Sequence, residues 1–239
     1  MELLYISLLT LVAAIIGTIT GFGTSTLMIP ILVTFFPPIE AIFLVAIIHW
    51  SGNIWKVSLF HYGFNLRLLI LFGTVGLATS YLGAYISLGA NEQILLRLLG
   101  GFLGGYVLFL IFRSKFKIPP SNTMALSGGA LSGFFAGMFG IGGAIRSAFL
   151  SAFDLPKAIY IATAGAIGLL VDSTRIIAYF TDGAMLPKEL WYGLLLFIPI
   201  SFAGAWIAKR IVDKIPQNQF RTIIAILLLL VGIKLLFWP

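Results

Sequence analysis

The sequence has no cysteine, only two histidines and only eight acidic residues among its 239 positions. The missing cysteines exclude disulfides, a thiolate nucleophile and a cysteine-ligated metal, and they say nothing about compartment. With His49 and His61 the only histidines, no HExxH and no paired intramembrane aspartates, a catalytic metal centre is hard to assemble. No cofactor is expected, and the chain is not read as an enzyme; a membrane-embedded enzyme remains the more distant rival and an anion channel the nearer one. Charge is scarce too: Asp, Glu, Lys and Arg make up 10% of the chain, against about 25% in a soluble domain. An ordinary water-soluble fold is thereby excluded. No stretch is left for a nucleotide-binding domain, so energy from ATP would have to come from another subunit.

What is present is apolar. Hydrophobic residues make up 60% of the sequence, and its mean hydropathy is +1.07. At about 20 residues per spanning helix, the chain has room for roughly eight to ten full or partial crossings of a lipid bilayer. The net charge of +7 is read as basic residues gathered in cytoplasmic loops, with no nucleic-acid partner. The start, Met1-Glu2-Leu3-Leu4-Tyr5, lacks the basic region of a secretory signal and is read as a retained membrane anchor.

The chain also repeats itself after about 119 residues. Gly21-Phe22-Gly23 returns as Gly140-Ile141-Gly142, Pro37 as Pro156, and Asn53 with Lys56 as Asp172 with Arg175. With a drift of two residues, Gly83-Ala84-Tyr85 returns as Gly204-Ala205-Trp206. Apolar segments are expected at about 3–20, 24–36, 40–61, 67–88, 94–112, 123–139, 143–153, 157–180, 189–208 and 220–238. Pro37-Pro38 and Pro119-Pro120 stop helices. Residues 1–112 and 123–239 form the two repeats, joined by a basic linker, 113–122, that carries Arg113, Lys115 and Lys117.

Charge decides the topology. Four simple crossings per half would orient both halves alike and put Lys209, Arg210 and Lys214 outside, against the positive-inside tendency. If each half instead opens with a hairpin turning at its glycines, followed by three crossings, the halves are inverted. Cytoplasmic faces then collect Lys56, Arg67, Arg113, Lys115, Lys117, Lys157, Lys209, Arg210, Lys214 and Arg221. Outer faces keep Arg97, Lys188 and Lys234, with Glu2, Glu40, Glu92, Asp182 and Glu189. The expected fold is therefore an all-α polytopic membrane protein of two inverted-topology repeats, each a glycine-broken helical hairpin followed by three transmembrane helices, with both termini outside.

Duplicated broken segments that hold polar pairs describe a secondary transporter. Irregular backbone within a bilayer must pack in protein or line a wet cavity, and a restarting helix presents amide hydrogens and a positive dipole end to an anion. Gly21, Gly23, Thr24 and Ser25 in the first break, and Gly140, Gly142 and Gly143 in the second, are the candidate cavity backbone. A nucleotide-binding reading of these glycines fails for want of a preceding strand. The glycines at 100, 101, 104 and 105 are assigned to helix packing. Asn53 and Lys56, like Asp172 and Arg175, share a helix face at i and i+3, and His49 lies one turn before Asn53. Ionisable groups at such depth usually face a cavity or a partner. The competing account has Lys56 snorkelling to the interface and Asp172–Arg175 as a structural pair. His49 and Asp172 are the candidate carriers of a coupling proton. Arg146, whose repeat counterpart is Leu27, either grips an oxyanion or meets lipid headgroups. The tryptophans are given interfacial positions and no site role.

Together the two glycine breaks, Pro30 and Pro37, the duplication and the basic linker resemble the sulfite exporter TauE/SafE family. The resemblance covers essentially the whole chain. It implies a bacterial or archaeal plasma-membrane permease for sulfite, sulfoacetate or another small sulfur-containing anion. The family's glycine motifs fall on Gly21 and Gly23 and on Gly140, Gly142 and Gly143. Two departures stand out: Gly-Phe-Gly-Thr-Ser replaces a run of glycines in the first break, so Thr24 and Ser25 add hydroxyl donors, and Phe149 stands where Pro30 has its counterpart. The expected function is alternating-access transport of a small anion at a site between the repeats. The anion, coupling ion, transport direction and oligomeric state are left open.

Overall fold

The computed structural model describes residues 2–61, 63–112, 119–212 and 217–239. Of the residues used above for topology, Arg113, Lys115, Lys117 and Lys214 lie outside the described residues, as does the side chain of Arg221. The described residues fold into helices with no strand among them: α1 (Glu2–Thr20), α2 (Ser25–Leu32), α3 (Pro38–Leu59), α4 (Leu66–Gly89), α5 (Glu92–Phe112), α6 (Asn122–Phe139), α7 (Gly143–Leu150), α8 (Lys157–Thr181), α9 (Lys188–Ile211) and α10 (Gln217–Phe237). A 3₁₀ turn, Ser151–Phe153, follows α7. Among the described residues six helices are long and apolar enough to cross a membrane, namely α1, α3, α4, α5, α8 and α9. The chain is a polytopic, all-helical membrane protein.

Local chemistry sets the helix ends. The repeat-related Pro37 and Pro156 cap α3 and α8 with nearly identical extended backbone, at ψ 138° and 139°. Asn65 and Ser121 accept the amides of Leu68 and Met124 at the starts of α4 and α6, as capping side chains do. Gly140 closes α6 in the left-handed region, at φ 71°, a conformation that suits glycine. After α1, Gly21 and Gly23 take φ values of 76° and 80°.

The segments at 24–36 and 143–153 contain less helix than the apolar pattern suggested. Only eight residues of each are α-helical, or about 12 Å of rise, too short for a hydrocarbon core of about 30 Å. Both turn back. The Tyr5 and Phe35 rings meet edge to face at 5.8 Å, so α2 returns the chain to the end where α1 began. Leu150 clusters with Leu68, Phe72 and Ala125, so α7 returns to the start of α6.

In the bundle, α4 packs along α6 and α8, α9 packs along α1 and α3, α3 faces α8, and α5 faces α10. Small residues allow these backbones to approach closely. A Cβ on Gly129 of α6 would lie 2.6 Å from the Phe72 carbonyl oxygen of α4. One on Gly204 of α9 would lie 2.6 Å from the Ala14 Cβ of α1. Of the four glycines in α5, only Gly100 is packed this way, 2.7 Å from Gly232 of α10. A Cβ on Gly101, Gly104 or Gly105 would meet nothing within 4 Å among the described residues. A Cβ on Gly232 would in turn lie 3.2 Å from the Gly104 amide nitrogen, so the run meets α10 through Gly100 and Gly104, one helical turn apart.

Hydrogen bonds tie the basic helix ends together. Arg67 Nη2 donates to Asn122 Oδ1, Asn65 N to Thr163 Oγ1 at 2.9 Å, and Lys157 Nζ to the Val212 carbonyl. The starts of α4, α6 and α8 and the end of α9, with Lys209 and Arg210 in its last turn, thus lie at one end of the molecule. Arg210 stacks over the Trp206 ring at 3.6 Å.

Candidate functional site

Helices α3 and α8 meet through their polar residues. Asn53 Nδ2 donates to Asp172 Oδ2 at 2.9 Å, so these two repeat counterparts touch each other directly. Arg175 Nε donates to Asp172 Oδ1 at 2.9 Å, and Lys56 Nζ donates to Asn53 Oδ1 at 3.1 Å. His49 Nδ1 lies 2.7 Å from Asp172 Oδ2. The result is a line, Lys56–Asn53–Asp172–Arg175, with His49 on the central carboxylate. Every member is buried: Lys56, the most accessible, is 5% exposed and Arg175 is 0%. Lys56 therefore does not snorkel. Trp50, which sequence reasoning set aside, braces the same helix pair, its Nε1 donating to Ser173 Oγ at 2.9 Å.

The glycine breaks fit against this line. A Cβ on Gly23 would lie 2.5 Å from His49 Nε2, and one on Gly140 would lie 2.8 Å from Arg175 Nη1. The two breaks also meet each other, because a Cβ on Gly143 would lie 2.7 Å from the Phe22 carbonyl carbon. Gly142 packs within its own hairpin, against Ser132 and Ala136, and Gly21 packs against the Tyr160 ring. Thr24 and Ser25 are buried at the start of α2, where the Thr24 hydroxyl has no hydrogen-bond partner.

Two further residues belong to this region. Arg146 on α7 is 3% exposed; it faces inward, away from lipid headgroups. With Thr18, Gly17, Gly21, Asn53 and Lys56 it lines a narrow cavity with room for about one water-sized sphere. Glycines on α8 make room for these groups. A Cβ on Gly168 would lie 3.2 Å from Arg146 Nη2 and 3.0 Å from Asn53 Cγ, and one on Gly165 would lie 3.3 Å from Lys56 Cβ. The sequence left Arg146, whose repeat counterpart is the apolar Leu27, open between an oxyanion contact and lipid headgroups; its burial removes the second. Thr18 looked like any helical threonine.

Buried polar groups are normally hydrogen-bonded. Here His49 Nε2, Arg146 Nε, Arg175 Nη2 and the hydroxyls of Thr18 and Thr24 have no hydrogen-bond partner among the described residues. Most of these are donors. Three buried cationic side chains, Lys56, Arg146 and Arg175, stand beside one buried carboxylate, Asp172. Among the described residues, only Arg175 and His49 form an ion pair with it. Such an arrangement is suited to receiving negative charge with oxygen acceptors. Among the described residues no three His, Asp or Glu side chains are grouped to hold a metal ion.

No curated protein matches this sequence. A protein family does match, the sulfite exporter TauE/SafE family, over residues 6–235. The match spans both glycine breaks and all the polar residues above, and the family is one of membrane transporters. The chain, with its broken hairpins and buried cations, belongs to the sulfite exporter TauE/SafE family.

Proposed function

We propose that this protein is an alternating-access permease for a small anion, sulfite or an organosulfonate, with its site between two inverted repeats. One observation carries the reading: among the described residues, Lys56, Arg146 and Arg175 are all buried against a single buried acid, Asp172. Each ionisable group placed at membrane depth costs about 2.5–3.5 kcal/mol on insertion scales. Two cationic side chains in excess at that cost have an evident use in attracting an anion. The residues assigned to it are Gly21, Gly23, Thr24, Ser25, His49, Asn53, Lys56, Gly140, Gly142, Gly143, Asp172 and Arg175.

The packing supports inverted repeats, residues 1–112 and 123–239 joined by the 113–122 linker. Exchanging α1–α5 with α6–α10 converts the α4–α6 contact into α9–α1 and the α4–α8 contact into α9–α3. The α3–α8 and α5–α10 contacts map onto themselves. Contact between Asn53 and Asp172 is what residues on a pseudo-two-fold axis make. Lys56 and Arg175 then stand on opposite sides of the axis, one toward each face of the membrane. With the basic ends of α4, α6, α8 and α9 cytoplasmic, both termini face out of a bacterial or archaeal plasma membrane.

Coupling to the proton gradient runs through His49. Its Nδ1 meets Asp172 and its Nε2 has no hydrogen-bond partner among the described residues, so the ring is placed to take up a proton on one side while holding the carboxylate on the other. In proteoliposomes, an imposed pH gradient is expected to drive sulfite flux in the wild type. In His49→Gln the flux should persist at a reduced rate without responding to the gradient. Wild-type flux indifferent to the gradient would remove proton coupling.

A further inference from the structure

We infer that Thr18, Lys56 and Arg146 form a docking pocket of their own for the transported anion, and that its ligand is a small oxyanion offering at least two acceptor oxygens. The inference rests on the permease reading and moves the first binding position away from Asp172 and Arg175, toward the basic end of the molecule.

Thr18 supplies the first argument. Helical hydroxyls in this protein routinely bond back to a carbonyl one turn earlier: Thr20 to Ile16, Thr26 to Phe22, Thr79 to Val75 and Ser173 to Leu169. Thr18 is 1% exposed, yet its hydroxyl makes no such bond and its residue lines the cavity. A buried donor left in this state is destabilising, and a ligand oxygen is its natural acceptor.

Charge supplies the second. Among the described residues Lys56 Nζ has one acceptor, the Asn53 amide oxygen at 3.1 Å. Arg146 has no ion-pair partner among the described residues and its Nε no acceptor. An ammonium, a guanidinium and a hydroxyl around one small cavity match the separate oxygens of an oxyanion, since a guanidinium bonds two oxygens in parallel. A halide, with no arrayed oxygens, gains less from that fork.

The pocket has no equal in the other repeat. The counterparts of Thr18, Lys56 and Arg146 are Gly137, Arg175 and Leu27. There Arg175 Nε is engaged by Asp172 at 2.9 Å, the Gly137 carbonyl accepts Tyr179 OH at 2.9 Å, and the apolar Leu27 stands at the position of Arg146. The asymmetry identifies the Thr18 side as the docking side.

The test is binding of sulfite to the purified full-length protein in nanodiscs, followed by calorimetry and by sulfite-induced thermal stabilisation, with chloride as the comparison anion. Thr18→Val removes a hydroxyl without an internal partner, so the ligand-free melting temperature should not fall. Its sulfite affinity should drop about tenfold, the upper range for a hydrogen bond to a charged group being larger still. Arg146→Gln should lose about a hundredfold. Chloride should compete poorly. Wild-type sulfite affinity in Thr18→Val, or chloride binding as tight as sulfite, would overturn the pocket assignment and leave the permease reading standing. Failure of the wild type to bind any small oxyanion would remove both. Should Arg146→Gln fail to fold, Thr18→Val decides alone.

Discussion

Asp172→Asn is expected to lower the stability of the protein by about 3–5 kcal/mol, the usual cost of breaking a buried ion pair by removing one partner. Its carboxylate accepts from Arg175 at 2.9 Å and from Asn53 at 2.9 Å, and lies 2.7 Å from His49. With an amide in its place, Lys56, Arg146 and Arg175 would have no buried negative charge to offset them. Thermal unfolding in nanodiscs measures the loss directly. Transport should fall at least tenfold even in the fraction that folds, because the Arg175 guanidinium would lose the carboxylate that orients it. High sulfite should restore part of the stability, since a bound anion replaces the missing charge and ligand binding to the native state stabilises it by mass action. An Asp172→Asn protein as stable as wild type, unresponsive to sulfite, would mean that the buried cations are balanced in some other way.

Gly143→Ala should abolish transport. The added Cβ would lie 2.7 Å from the Phe22 carbonyl carbon, and the obstacle is backbone in the opposite glycine break, which has no rotamer to change. Overpacking of this kind costs about 1–3 kcal/mol and separates the two breaks where they meet. Gly101→Ala is the control. Its Cβ would meet nothing within 4 Å among the described residues, and a helical glycine replaced by alanine gains about 0.5–1 kcal/mol. Flux measured per correctly inserted molecule should vanish in the first variant and persist in the second. Equal flux in both would show that close contact of the breaks is not needed for the transport cycle.

Much of this architecture could be read from the residues. The ten apolar segments correspond to the ten helices, and the proline and glycine punctuation falls at their ends, because backbone restrictions act locally. The repeat offset placed Asn53 with Lys56 opposite Asp172 with Arg175. Contact between counterparts follows when both lie on the helices that face each other across the repeat interface, as α3 and α8 do. What escaped sequence reasoning depends on partners. An arginine beyond a helix restart reads equally well as a lipid contact, and burial of Arg146 is a property of how α7 sits against α6 and α8. Thr18 is one of several helical threonines, and only the missing back-bond distinguishes it. The glycine run of α5 packs in part: Gly100 meets the Gly232 carbonyl oxygen of α10, and a Cβ on Gly232 would lie 3.2 Å from the Gly104 amide nitrogen.

The most direct measurement is counterflow of radiolabelled sulfite in proteoliposomes preloaded with unlabelled sulfite. An alternating-access permease with its site between the repeats should take up label transiently above its equilibrium level, with a rate that saturates in external sulfite. Label that enters in proportion to concentration, with no overshoot and no dependence on internal sulfite, would contradict the account and describe a channel.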